Sequence, residues 1–228
     1  SWFVPVENYD AAHWEKLTTL CRAGFGEVEI HLHHFRDTED GFRKAMELGK
    51  EQLAQHGARV LSAVRSAQAY AFVHGNWSLD NAGGDEVCGV NNELEVLSQT
   101  GCFADFTLPC APNRAQTRKI NAIYYATDDI SAPKSHDSGV DVVVGGKPQG
   151  TLMIIQGPLC LDWSNRKFGV LPRTDNGELT PGNPVTANRI QRWLRHAIHV
   201  KRKPNWIFIK VHCHGGVREH LDFFLGSP

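Results

Sequence analysis

Histidines are the residues best able to do chemistry in this chain, twelve among 228 residues. Three stand together in Glu27-Val-Glu-Ile-His31-Leu-His33-His34. Side chains alternate along a strand, so Glu29, His31 and His33 share one face and Val28, Ile30 and Leu32 the other. Two neutral imidazoles spaced this way can hold one divalent ion, zinc or a similar metal. His31 and His33 are therefore the expected metal ligands, with His34 as a third ligand or as a group behind them. The same alternation recurs in four other segments. Val4 and Val6 oppose Phe3, Pro5 and Glu7; Ala69, Ala71 and Val73 oppose Phe72, His74 and Asn76. Ala104, Phe106 and Leu108 oppose Asp105 and Thr107; Ile207, Ile209 and Val211 oppose Lys210, His212 and His214. Burying that many unpaired polar groups is costly, and a shared metal, water or substrate would satisfy them.

Roles follow from residue type. Glu7, Glu29 and Asp105 offer carboxylates for a ligand, a general base or an orienting contact. His212 and His214 can carry a proton near neutral pH. His74, Asn76 and Trp77 suit a sugar, the polar groups meeting hydroxyls and the indole face stacking on C–H groups. Two motifs are set aside. Gly145-Gly-Lys147 lacks the spacing of a phosphate loop, and Ser62 and Ser66 lie in no G-x-S-x-G elbow. His136-Asp137 reads as a solvated loop pair.

The elements that must position these groups alternate. Strands are expected at Trp2–Glu7, Glu27–His34, Ala69–Trp77, Cys102–Pro109, Val140–Val144, Thr151–Gln156 and Trp206–His212. Helices are expected at Asp10–Ala23, Glu39–Gln55, Asn91–Thr100, Arg118–Tyr125, Pro184–His199 and Val217–Phe224. Asp10 reads as the N-cap of the first helix, and Asp37 or Thr38 as that of the second. Long loops are expected at Ser131–Gly139 and Pro172–Pro184. Strand–helix alternation implies an α/β domain with a mostly parallel sheet, open or closed. In a closed barrel the apolar strand faces meet the helices and the polar faces point inward, toward the C-terminal mouth.

Composition bounds the rest. The length fits one domain spanning 1–228. A net charge of -1 favours neither nucleic acid nor an anionic membrane surface. No apolar run approaches the roughly 20 residues that cross a bilayer. The six cysteines form no C-x-x-C pair and read as reduced, mostly buried thiols, which suits a reducing, cytoplasmic setting. Oligomeric state is not legible.

The segment Glu27–His34 resembles the second motif of polysaccharide deacetylases, where a strand delivers metal-binding histidines. Phe3-Val-Pro-Val6 looks like the strand before it, and Ile209-Lys-Val-His212 is similar to the family's last motif. Phe72–Asn81, Cys88–Pro112, Asn121–Asp128 and Gln156–Trp163 resemble an uncharacterised branch of that superfamily. The resemblance implies a distorted (β/α)7 TIM-like barrel. It also implies zinc or a similar ion held by one aspartate and two histidines, and hydrolysis of N-acetyl groups on amino sugars. The family's Asp-Asp motif is absent and would precede Ser1, so the barrel is expected to lack its first strand and the chain to be part of a longer one. The family's second histidine falls where Phe35 stands, so that ligand passes to His33 or His34. Leu108-Pro109-Cys110-Ala111-Pro112 takes the place of an arginine–proline motif without its arginine. The expectation is a metal-dependent carbohydrate deacetylase. The alternatives are another metallohydrolase on a similar barrel and a catalytically inactive carbohydrate-binding domain.

Overall fold

The structure, a computed structural model, describes residues 1–57, 60–61 and 68–226. Ser62 and Ser66 lie outside the described residues. The strands are β1 (Trp2–Pro5), β2 (Val28–Leu32), β3 (Val60–Leu61), β4 (Gln68–His74), β5 (Cys102–Asp105), β6 (Ala122–Ala126), β7 (Val140–Asp141), β8 (Leu152–Gln156), β9 (Cys160–Lys167) and β10 (Leu171–Asp175). The helices are α1 (Ala11–Arg22), α2 (Glu39–Gln55), α3 (Glu93–Thr100), α4 (Ala187–Arg195) and α5 (Arg218–Leu225).

The architecture is α/β, built on a mixed, mostly parallel sheet. Its order is β1-β2-β4-β5-β8-β6-β7, with β3 pairing antiparallel to β4. Strands β1, β2, β4, β5 and β8 run parallel; β6 and β7 add antiparallel pairs at the far side. Parallel neighbours need crossovers; α1, α2 and α3 supply those from β1 to β2, β2 to β4 and β4 to β5, while the chain from β5 to β8 passes through β6 and β7. Asp10 caps α1 by accepting from His13 N–H, and Thr38 rather than Asp37 caps α2 through Gly41 N–H. That leaves the Asp37 carboxylate for other work.

Register decides which side chains meet. Ile30 pairs with Phe72 and Leu32 with His74. Registered residues of parallel strands share a face, so the face of Ile30 and Leu32 also carries Tyr70, Phe72 and His74. This is the core face. Phe42 and Met46 of α2 and Leu94 and Leu97 of α3 are buried with these residues. Gly49 brings α2 close to the sheet, since a Cβ there would lie 2.9 Å from both Ile30 Cδ1 and Val6 Cγ2. Burial of this face supplies the main drive to fold. On the opposite face Glu29 is buried too; its carboxylate accepts Ala71 N–H at 2.6 Å, where β4 and β5 slip in register.

Several elements differ from the sequence expectation. Arg118–Tyr125 is not a helix: Ala122-Ile-Tyr-Tyr-Ala126 forms β6, whose aromatic and branched residues pack between β7 and β8. Trp206–His212 is not a continuous strand. Only bridges at Ile198–Phe208 and Glu178–His212 remain, and Ile207 and Val211 are exposed, so its apolar alternation meets no sheet face. The loop expected at Pro172–Pro184 starts inside a hairpin, because β10 pairs antiparallel with β9. His74 was expected on the polar face with His31; register places it on the core face. His136 is buried rather than solvated, its carbonyl accepting from Thr117 and Tyr124 hydroxyls.

All six cysteines are free. Among the described residues, no helix is long and apolar enough to cross a membrane.

Candidate functional site

The C-terminal ends of β1, β2, β4 and β5 gather the candidate residues, and the sheet divides them into two groups. The first lies at the rim these strand ends form, the mouth of the sheet. His31 Nδ1 sits 2.7 Å from the Val73 carbonyl on the neighbouring strand. A carbonyl only accepts, so this contact assigns the proton to Nδ1. His33 Nδ1 sits 2.7 Å from Glu7 Oε1, and the same oxygen accepts His33 backbone N–H at 3.2 Å. Glu7 stands in the one-turn helix Val6–Asn8 that closes β1. In their neutral forms both rings are thus Nδ1-protonated, which leaves each Nε2 lone pair to bind an electrophile. The rings meet edge to face, centroids 4.4 Å apart. Burial holds the His31 pKa below its ordinary value, with Val73 opposing, so this ring is neutral at pH 7. A Cβ at Gly75 would overlap the His33 ring, so the glycine after β4 makes room for it.

The second group lies on the core face. Strand β2 carries His34 past Leu32 onto that face, where its ring stacks on Phe42 at 4.9 Å. Strand β4 ends on His74. The two Nε2 atoms are 2.7 Å apart, and each lies 3.3 Å from Glu93 Oε1. Glu93 opens α3 and is fully buried. Its Oε1 has no hydrogen-bond partner, whereas Oε2 accepts Asp80 N–H at 2.5 Å. Cys88 Sγ stands 3.6 Å from Oε2. Both Nδ1 atoms face acceptors, Asp37 Oδ2 at 3.1 Å for His34 and the Gly75 carbonyl for His74. Burial opposes charge on His34, but Glu93 and Asp37 outweigh it and raise its pKa. Burial drives His74 down to about 4. Glu93, despite burial, is held below the usual carboxylate range by His74 and His34. His34, His74, Cys88 and Glu93 form the one group of three or more such ligands, among the described residues, gathered closely enough to hold a metal ion.

The remaining candidates border the mouth. Asp105 ends β5, fully buried, and accepts from Thr107 N–H and hydroxyl at 3.0 and 2.6 Å. The Thr107 hydroxyl in turn accepts His74 N–H. Lys210 Nζ donates to the carbonyls of Phe106, Thr107 and Ile155 at 2.8, 3.1 and 2.9 Å. Burial pushes Asp105 up and Lys210 down. His212 is held by backbone bonds to Gly177 and Leu179, and burial lowers its ring to about 4. His214 is exposed, 4.0 Å from Glu178. Asn76 and Trp77 follow Gly75 with positive φ, and the Trp77 indole is 42% exposed.

The structure thus joins Glu7, His31 and His33, separates His34 from them, and pairs His34 with His74. Sequence reasoning missed Glu93, Cys88, Asp37 and Gly75 as parts of these sites. The alternation that sets His34 apart from His31 was legible; nothing local marks Glu93 as its partner 59 residues later. A separate cleft of about 500 Å³ between β9 and α4, with Trp163, Arg192 and Arg195 in its lining, holds none of the candidates.

The chain matches no protein-family model, and no curated protein or solved structure is significantly similar to it.

Proposed function

We propose that this protein is a metal-dependent hydrolase that removes acetyl groups from N-acetylated sugars, on a distorted (β/α)7 TIM-like barrel. One observation carries the reading: two histidines at the mouth, each with Nδ1 tied to an acceptor and Nε2 left as a donor atom. Metal-binding histidines show this arrangement, with a carboxylate or carbonyl fixing tautomer and direction. The donor set fits zinc or a similar ion, with His31 and His33 holding it. When bound, the ion would polarise the acyl carbonyl and lower the pKa of a water molecule. Glu7 orients His33 and is engaged in doing so, and Asp105 is spent on Thr107; both act by positioning. His212 or His214 moves the proton to the departing amine, and Trp77 gives the sugar a face to stack on.

The test is acetate release from N-acetylglucosamine oligomers by zinc-loaded protein. His31→Ala/His33→Ala should lower it by at least ~100-fold with the circular dichroism spectrum unchanged. Wild-type rates in that variant, or no acetate from the loaded wild type, would overturn the proposal. The exposed Trp77 also favours a second reading, a carbohydrate-binding domain without catalysis; sugar binding with no acetate release would select it.

A further inference from the structure

We propose that His34, His74, Glu93 and Cys88 form a closed structural site for a zinc ion, on the helix-covered face of the sheet and independent of the mouth pair. The argument starts from lone pairs. Both imidazoles have Nδ1 against an acceptor, Asp37 Oδ2 for His34 and the Gly75 carbonyl for His74. Their Nε2 atoms therefore face each other as lone pairs at 2.7 Å, with an unpartnered carboxylate oxygen 3.3 Å from each. Three electron-rich atoms converging this closely on buried side chains require a cation at their centre, either one proton or a metal ion. One ion can lie within zinc's bond lengths of about 2.0–2.2 Å from all three. The edge of a zinc tetrahedron at these bond lengths is roughly 3.3–3.6 Å. Both Glu93 separations, 3.3 Å, fall at its short end, and the 2.7 Å histidine pair would open by roughly 0.6–0.9 Å.

The surroundings suit a metal better than a proton. Each of the three donors is oriented from behind: His34 by Asp37, His74 by Gly75, and Glu93 by Asp80 N–H. Cys88, which follows the short helix Asp85–Val87, offers the fourth donor, its sulfur within 4.8 Å of the other ligand atoms. As a thiolate it would, with Glu93, cancel the charge of a divalent ion, so the whole site could be buried neutral. All four side chains are buried, which leaves no position for substrate and marks the site as structural rather than catalytic. What it would hold is visible in the chain. Between His74 and Cys88 the residues Asn76, Trp77, Asp80 and Asn81 all adopt positive φ, a conformation that survives only where neighbours impose it. An ion bound by residues on both sides of this segment would pin it, and with it Trp77 beside the mouth.

The experiment uses His31→Ala/His33→Ala protein, in which the mouth pair is gone, so its outcome is separate from that of the deacetylase proposal. After dialysis it should retain about one equivalent of zinc. Adding His74→Gln or Glu93→Gln should remove that zinc. Loaded with cobalt(II), the parent variant should show thiolate-to-metal charge-transfer absorption, and the nearly isosteric Cys88→Ser should abolish the band while the circular dichroism spectrum stays folded. No retained zinc in the parent variant would overturn the proposal and leave a proton-bridged cluster. Zinc retained in folded protein after Glu93→Gln and His74→Gln, or a cobalt spectrum unmoved by Cys88→Ser, would overturn it as well.

Discussion

A carboxylate or carbonyl placed on one ring nitrogen decides what the other can do, and four histidines here depend on that choice. Glu7 and Val73 aim His33 and His31 into the mouth; Asp37 and Gly75 aim His34 and His74 at each other. Gly75 takes part in both groups, because its carbonyl meets His74 and its missing side chain admits the His33 ring. Gly75→Ala should therefore displace His33 and weaken metal retention at the mouth by roughly 10–100-fold, the loss typical of disturbed outer contacts. Zinc titration of the variant, with folding checked by thermal melting, measures this; wild-type affinity would contradict the packing described. Substituting Glu7 by Gln should be milder, since the amide oxygen can still accept from Nδ1.

Individual elements are held to the sheet by different means. Helices α2 and α3 bury an apolar face, whereas α4 is held by charge. Asp175 at the end of β10 accepts Arg189 at 2.8 and 2.9 Å, Trp193 Nε1 at 3.0 Å and Gly177 N–H at 3.1 Å. Burial pushes the Asp175 carboxyl up, but these donors outweigh it and hold its pKa at about 2, against 3.8 for the free side chain. The folded value lies below the unfolded one. Its contribution is therefore fully present above about pH 4 and is lost as pH falls toward 2, amounting to about 2 kcal/mol. Asp175→Asn should lower stability at pH 7 by about that amount and flatten the acid limb of a denaturation series between pH 4 and 2. An unchanged acid limb would refute the role of this carboxylate. The Trp206–His212 segment is held differently again, by the Lys210 ammonium on three carbonyls at the ends of β5 and β8. A charged donor on three acceptors substitutes for the ladder that this segment does not form.

The whole molecule divides into a packed half and a strapped half. Strands β2, β4, β5 and β8 carry most of the buried core, while β9, most of β10 and the Trp206–Val211 segment are largely exposed. Amides of β2, β4 and β5 should exchange with solvent only on global unfolding, and those of residues 160–175 and 206–226 far sooner. Hydrogen exchange read by mass spectrometry tests this, and uniform protection across the chain would count against it. The sequence determined a good deal alone. Alternation set His31 and His33 on one face and His34 on the other, and polar caps started α1 and α2 where Asp10 and Thr38 stand. These features are local, fixed by backbone periodicity and by donors within one turn. Tertiary structure decided what local pattern leaves open. It made Ala122–Ala126 a strand, because the flanks of β7 and β8 reward a pleated aromatic segment more than a helix. It left Trp206–His212 without a sheet to join. Strand register alone placed His74 with Leu32 instead of His31, and the start of α3 brought Glu93 to the two rings. Pairing between residues 40 and 59 positions apart depends on how strands slide and helices dock, which no local spacing records.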